Sequence, residues 1–287
     1  MKKRLIIEPG GGLGNRLLVI SSAYNLAKDC GIEDIILLWR NNNECGCDFE
    51  DVLGDLPITT RVKTIHFGKE SYKTLLKEMR VGSALNKFWQ GFFYKLFRIW
   101  AAGFQIPMHQ DMTVEEQKAI SDYVLNSRKD KLYIEAYYIF YGALDLLSVS
   151  FNADIMQRVV DYKAAVGNYD AMHIRRTDNV AAIENSPTEL FYRKIEEIIH
   201  ADSNHSIYIA TDDLSILKDL KRKYPKNIIS EANVAASRTS SEGMKFALYE
   251  MLILAGADTL YASYGSTFTI IANAIGGNKM ITLSKDV

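Results

Sequence analysis

"DAMHIRRTDN", residues 170–179, begins as an apolar run and closes on a histidine, two adjacent arginines and an aspartate. Residues 170–176 read as a strand, and such charge at the end of a buried strand needs a task. Arg175 and Arg176 are neighbours on extended backbone, so their side chains point in different directions. One can meet a ligand while the other anchors the loop. A guanidinium keeps its charge at any working pH, and its fork matches two phosphate oxygens. His173 shares the face of Arg175, and Asp178 can pin a guanidinium or hold a ligand hydroxyl. The alternative is a salt-bridged strand end with no ligand.

Outward from this stretch the chain alternates. Downstream, Ser186-Pro187-Thr188 starts a helix over 188–200. "SIYIATDD" (206–213) is a strand before a helix over 214–224, and "NIIS" (227–230) a short strand before a helix over 241–255. "DTLYAS" (258–263) precedes a helix over 266–275, and "KMITLS" (279–284) is a last strand. Upstream, a strand over Arg4–Glu8 runs into "PGGGLGNR" (9–16), a helix over 17–28 and a strand over Asp34–Trp39. Helical spacing follows over 70–103 and 114–126, then a strand over 131–140 and a helix over 152–165. The strands are apolar runs without alternation, the pattern of parallel sheets covered on both faces. The expectation is α/β: two Rossmann-like domains, 1–160 and 161–287, facing a cleft. Ligands of open α/β sheets bind beyond the carboxyl ends of the strands, where the polar residues of this chain gather.

The bulk composition excludes several classes. With 34 basic and 35 acidic residues the chain has no nucleic-acid footprint, so an anionic ligand must be met by locally placed charge. Cys30, Cys45 and Cys47 lack the spacing of a zinc site or a disulfide framework. The apolar part of the N-terminus is too short for a signal peptide, and no run approaches a membrane span. The reading is a cytoplasmic protein.

Three further motifs carry chemistry. "GGGLGNR" fails the dinucleotide fingerprint, because the third glycine position is Asn15, and it lacks the lysine of a P-loop. It can still bring Gly12 and Gly14 backbone close to a ligand. In "YIATDD", Asp212 or Asp213 can accept two hydrogen bonds from a guanine edge, or cap the following helix. The chain has no D-x-D, which disfavours a metal-bridged diphosphate. In "SYGSTF" (263–268), Ser266 and Thr267 sit where hydroxyls and free N–H groups make an anion site, or where one of them is an ordinary helix cap.

Together these elements resemble the fucosyltransferase superfamily, the GT-B-type enzymes that include α-1,2-, α-1,6- and protein O-fucosyltransferases. The match runs through Gly11–Arg16, His173–Asp178, Thr211–Asp213 and Ser266–Phe268, in the family's order across nearly the whole chain. The resemblance implies an inverting transfer from GDP-fucose to a glycan acceptor, with no metal and no further cofactor. It implies that Arg175 holds the β-phosphate, His173 the nucleotide, Asp212 or Asp213 the guanine, and Ser266 and Thr267 the phosphates. Arg176 and Asp178 would complete the donor loop, and Asn15 and Arg16 would reach donor sugar or acceptor. For the base, Glu184 lies near the position of a family glutamate but one residue further along, and Glu8 ends the first strand. Another nucleotide sugar, or a non-catalytic sugar-nucleotide or glycan-binding protein on the same fold, would use the same residues.

Residues 85–100, "LNKFWQGFFYKLFRIW", place Leu85, Phe88, Trp89, Phe92, Leu96 and Trp100 at helical spacing. A core helix is the favoured reading. A helix on the inner face of a membrane, meeting a lipid-linked acceptor, is the alternative.

Overall fold

The structure is a computed structural model that describes residues 3–57, 59–66, 112–146, 149–177, 179–231 and 237–285. The helical expectations over 70–103, including the aromatic segment 85–100, lie outside the described residues, as does Asp178. The chain divides into two units, Met1–Ser150 with Arg238–Ser241, and Phe151–Ser237 with Glu242–Val287. The expected boundary at 160/161 falls inside a helix, Ala153–Val166, that belongs whole to the second unit.

The first unit comprises β1 (Arg4–Pro9), α1 (Leu13–Asp29), β2 (Asp34–Asn41), α2 (Phe49–Val52), β3 (Thr59–His66), α3 (Val114–Asn126) and β4 (Lys131–Ala136). Its sheet has the order β3-β2-β1-β4, and every pair is parallel. Leu5 and Ile7 of β1 are fully buried, as continuous apolar strands of a two-sided sheet must be. The alanines and leucines of α1 suit a helix, and it is buried almost all round. It starts a turn earlier than the sequence pattern suggests. Gly11, at φ 77°, turns the chain sharply off β1, and Gly12 is the N-cap. The tight turn is possible because only glycine takes that conformation without steric cost. β4 stops at Ala136 instead of Phe140. The Ala136 carbonyl accepts from Gly10 N–H (2.9 Å), and beyond it the ladder to β1 ends. The sequence reading omitted α2 and β3.

The second unit comprises α4 (Ala153–Val166), β5 (Asp170–Ile174), α5 (Val180–Asn185), α6 (Thr188–Ala201), β6 (Ile207–Thr211), α7 (Leu214–Lys223), β7 (Ile228–Ile229), α8 (Ser241–Ala255), β8 (Thr259–Ala262), α9 (Thr267–Gly276) and β9 (Lys279–Thr282). Ser241, the first residue of α8, groups with the first unit. The sheet order is β7-β6-β5-β8-β9, again all parallel. All five residues of β5 are buried. Phe191 and Ile195, one turn apart on α6, and Leu217 and Leu220 of α7 pack on Met172, Ile174, Ile207 and Ile209. β5 ends at Ile174, two residues early, for a local reason. The next two backbone N–H groups leave the ladder for side chains: Arg175 donates to Ser263 Oγ (3.0 Å) and Arg176 to Asp212 Oδ1 (2.7 Å).

Each sheet reverses its winding at one place, between β1 and β4 in the first unit and between β5 and β8 in the second. Ligands of open α/β sheets bind at such switch points, beyond the carboxyl ends of the strands. The glycine loop and the His173–Thr177 stretch lie at these two ends.

Candidate active site

In the second unit, one carboxylate organises the loop after β5. Asp212 follows β6 and accepts from the backbone N–H of Arg176 (2.7 Å) and from Thr177, by N–H (3.3 Å) and hydroxyl (2.7 Å). Its Oδ2 also pairs with Arg175 Nη1 at 2.8 Å, both side chains being under a fifth exposed. The two arginines divide the work. Arg176 donates from Nε to Thr188 Oγ1 (2.9 Å), from Nη1 to the Arg175 carbonyl (2.6 Å) and from Nη2 to the Ser186 carbonyl (2.6 Å), and its guanidinium lies 5.5 Å from the Phe191 ring centre. It is the anchor. Arg175 stands at the strand end with its guanidinium paired to Asp212.

The expectation that the Asp212–Asp213 step reads guanine meets two carboxylates already engaged. Asp212 clamps the loop as described. Asp213 caps α7, accepting from Ser215 N–H (2.8 Å) and Ser215 hydroxyl (2.6 Å), and the Ser215 hydroxyl leads the contacts that hold its carboxyl below the usual range. The capping role weighed against base reading is the one observed for Asp213.

His173 is 6% exposed at the end of β5. Burial, with Arg175 beside it, pushes its imidazole down to about 4, so the ring is neutral at pH 7. It stacks on Phe268 (5.0 Å between centres, 23° between planes), and its Nδ1 lies 3.3 Å from Ser266 Oγ. That contact matters for α9. Ser266 occupies the N-cap but makes no side-chain cap bond, its hydroxyl meeting the histidine instead. Gly265 makes the preceding turn at φ 62°.

In the first unit, the glycine loop is held from within. Arg16 is fully buried and donates to the Gly11 carbonyl (2.9 Å), the Arg40 carbonyl (2.7 Å) and Asn42 Oδ1 (3.1 Å), with its guanidinium 4.5 Å from the Trp39 ring centre. It therefore fastens the loop from within. Asn15 donates to the Tyr137 carbonyl (2.8 Å), tying the loop to the chain beyond β4. Gly14 is buried in the first turn of α1. Glu8 is 2% exposed, paired with Arg40 and accepting from the Tyr133 hydroxyl. Burial raises its pKa even though Arg40 and Tyr133 oppose the rise. Glu184 is exposed on the short helix α5.

The sequence reading missed four site residues. Ser186 is fully buried; its carbonyl takes Arg176 and its hydroxyl takes Tyr264 N–H (2.8 Å). Arg40, Glu135 and Tyr137 surround Glu8. The available signal was a charge near the end of an apolar strand, in "DIILLWRN" and "KLYIEA". Among the described residues, no group of three or more His, Cys, Asp or Glu side chains is placed to hold a metal ion, and no helix is long and apolar enough to cross a membrane.

No protein-family model matches the chain. Solved structures do. NodZ α-1,6-fucosyltransferase soaked with GDP-fucose matches with a TM-score of 0.57 and 14% identity over 96% of this chain and 93% of that one. Arabidopsis thaliana FUT1 in complex with GDP matches with 0.58 and 14% over 99% of this chain and 71% of that one. POFUT1 in complex with GDP matches with 0.55 and 12% over 98% of both chains. The chain has the fucosyltransferase fold. That fold is the GT-B-like α/β architecture expected from the motif order, at identities where sequence alone carries little.

Proposed function

We propose that the chain is an inverting glycosyltransferase that moves fucose from GDP-fucose to a hydroxyl of a glycan acceptor, using an arginine where other transferases use a metal. The observation that carries this reading is the group at the second unit's switch point: Arg175, neutral His173 and the start of α9, where the Ser266 hydroxyl turns to His173. All three suit a nucleotide diphosphate. Helix N–H groups favour an anion, and a neutral imidazole can hydrogen-bond a phosphate or ribose oxygen without competing for its charge. Glycosyl transfer builds negative charge on the departing diphosphate as the sugar becomes oxocarbenium-like. A guanidinium preset by Asp212 gains most when that charge is largest, so it lowers the barrier instead of merely tightening substrate binding. The GDP and GDP-fucose bound to structures of this fold support the same donor here.

A second reading, another nucleotide sugar, is favoured by one observation: Asp212 clamps the loop after β5 and Asp213 caps α7, so both carboxylates of the step already have a structural role. Thermal shift with GDP, UDP, ADP and their sugars separates the two, because a ligand that binds only the native state raises Tm. A shift with GDP and GDP-fucose alone is expected. A shift with UDP alone would remove the fucose donor from the reading.

A further inference from the structure

The turn after β2 in the first unit holds a second chemical group. Cys45 and Cys47 are fully buried, with their sulfurs 3.7 Å apart. The turn that carries them is pinned. Asn42 and Cys45 exchange backbone hydrogen bonds (3.2 and 3.1 Å), Asn42 Oδ1 accepts from Cys45 N–H (3.1 Å), and the Trp39 indole donates to the Cys47 carbonyl (2.9 Å). Between the two cysteines, Gly46 donates to the Arg238 carbonyl (2.7 Å), and a Cβ on it would fall 2.4 Å from the Thr239 backbone. Glycine thus leaves room for the Arg238–Ser241 segment, which groups with this unit.

Arg16 adds charge to the pair. Its guanidinium lies over Trp39 and shares Asn42 Oδ1 with the Cys45 N–H. Its Nε, Nη1 and Nη2 donate to two carbonyls and an amide oxygen, all neutral. A buried cation needs negative neighbours. Burial lowers the Arg16 pKa, and Cys45 and Cys47, ahead of Glu44, oppose that fall. The thiols shift in opposite senses. The hydrogen bond from Cys47, aided by Arg16, brings Cys45 below the ordinary thiol value against its burial, while giving that bond pushes Cys47 up. Small apolar side chains would fill the same space but would supply none of this charge. A thiolate beside a guanidinium, with a second thiol in contact, is the arrangement of a reactive cysteine and its resolving partner.

We infer that Cys45 and Cys47 are a dithiol that reacts with hydrogen peroxide, closing reversibly to a disulfide that releases the Arg238–Ser241 segment from the turn. The Cys45 thiolate attacks one peroxide oxygen and the O–O bond breaks. Hydroxide leaves and takes up the proton that the thiol gave to solvent, and Cys45 becomes a sulfenic acid. The Cys47 sulfur then attacks the Cys45 sulfur, the S–O bond breaks, and the hydroxyl leaves with the Cys47 proton as water. The two thiols lose two electrons and the peroxide is reduced to two waters. Burial selects the oxidant: a molecule near the size of water reaches the sulfurs through small openings of the turn, and oxidised glutathione does not. The disulfide encloses Gly46 alone, so it is no staple for the fold, because that effect grows with loop length. So tight a ring belongs with the labile, regulatory disulfides. Bonding draws the sulfurs well inside their present contact and turns the Gly46 peptide that holds Arg238.

The test treats the reduced full chain with equimolar hydrogen peroxide, quenches with catalase, alkylates under denaturing conditions and maps the peptides by mass. A Cys45–Cys47 disulfide is expected, reversed by dithiothreitol, with Cys30 still alkylated. Oxidised glutathione in place of peroxide should leave no adduct on either cysteine. Cys47→Ala should stop at a Cys45 sulfenic acid that dimedone labels; the parent chain decides the matter if that variant does not fold. Trypsin cleavage of the native chain after the exposed Arg238 should rise about fivefold on oxidation, as for one lost hydrogen bond, and fall back on reduction. Cys45 and Cys47 both still alkylated after peroxide, or Cys30 oxidised ahead of them, overturns the inference. A disulfide that leaves cleavage at Arg238 unchanged does so too. None of these readouts involves a sugar nucleotide, so they stand or fall apart from the transferase reading.

Discussion

Asp212 holds Arg175 and Arg176 by different handles: it pairs with the guanidinium of Arg175 at 2.8 Å and accepts the backbone N–H of Arg176 at 2.7 Å. One carboxylate thus aims the side chain proposed to meet the diphosphate and fixes the backbone that carries it. Asp212→Asn keeps the size and one acceptor oxygen but loses the charge. We expect weaker GDP binding by about tenfold, with a modest fall in Tm, since hydrogen bonds to charged groups contribute roughly 1.5–3 kcal/mol and part is retained. Calorimetric titration with GDP checks it; unchanged affinity would show that the clamp is structural only.

The two arginines should separate cleanly by assay. Arg175→Ala is expected to cost about 2.7–4 kcal/mol of transition-state stabilisation, as loss of a charge-stabilising donor does elsewhere, with little change in Tm. Arg176→Ala strands the buried Ser186 carbonyl and the Thr188 hydroxyl and uncovers Phe191, so its main effect should be a loss of stability on the order of 2–3 kcal/mol. Denaturant unfolding and turnover, measured on both variants, would refute the division if the effects were exchanged.

Glu250, on α8, is 7% exposed with the Tyr208 hydroxyl 3.4 Å away, and burial pushes its carboxyl up to about 8. In the unfolded chain it titrates near 4.5. Between these values the unfolded state binds fewer protons than the native one, so stability falls as pH rises from about 4.5 to about 8. Glu250→Gln should flatten that fall and leave the variant more stable than the parent at pH 8. Melting temperatures at pH 5, 6.5 and 8 decide it, and parallel curves for the two proteins would contradict the assignment.

His173 works in the opposite sense. Its folded value of about 4 lies below the ordinary imidazole value of 6.5, so the unfolded chain binds the extra proton between them and stability is lost as pH falls through that window. Replacing it with glutamine, which cannot charge, should remove this acid loss while the Glu250 trend persists. Acid unfolding of His173→Gln that tracks the parent would refute it.

Gly10→Ala would put a Cβ 2.3 Å from the Tyr137 ring. The ring must move, taking with it the hydroxyl that lies 3.4 Å from Glu135. Overpacking of this kind costs typically 1–3 kcal/mol. We expect lower stability, read as a fall in Tm; an unchanged Tm would contradict it.

Periodicity sufficed for most of the elements. Apolar runs at 4–8, 34–39, 170–174 and 207–211, each followed by a helical pattern, can be stable only as parallel strands covered on both faces, and the observed sheets are wholly parallel. The order of the four motifs also located both strand-end loops. Element ends were less legible. β5 stops at Ile174 because Ser263 and Asp212, 88 and 36 residues away in sequence, take the next two N–H groups, and nothing local announces such partners.

Residue type along the chain determined which side chains were able to bind a diphosphate, because charge and hydrogen-bonding capacity belong to the residue. Tertiary structure alone decided which of them are committed elsewhere. Arg16 and Arg175 look alike in sequence. The first is sealed against Trp39 with its donors spent on Gly11, Arg40 and Asn42, and the second lies partly exposed at a strand end beside Asp212. Likewise Glu8 and Glu135 become a pair only when β1 and β4, more than a hundred residues apart, lie side by side in register. Burial and pairing are properties of the packed chain, and they set the free energy of a charge more strongly than its identity does.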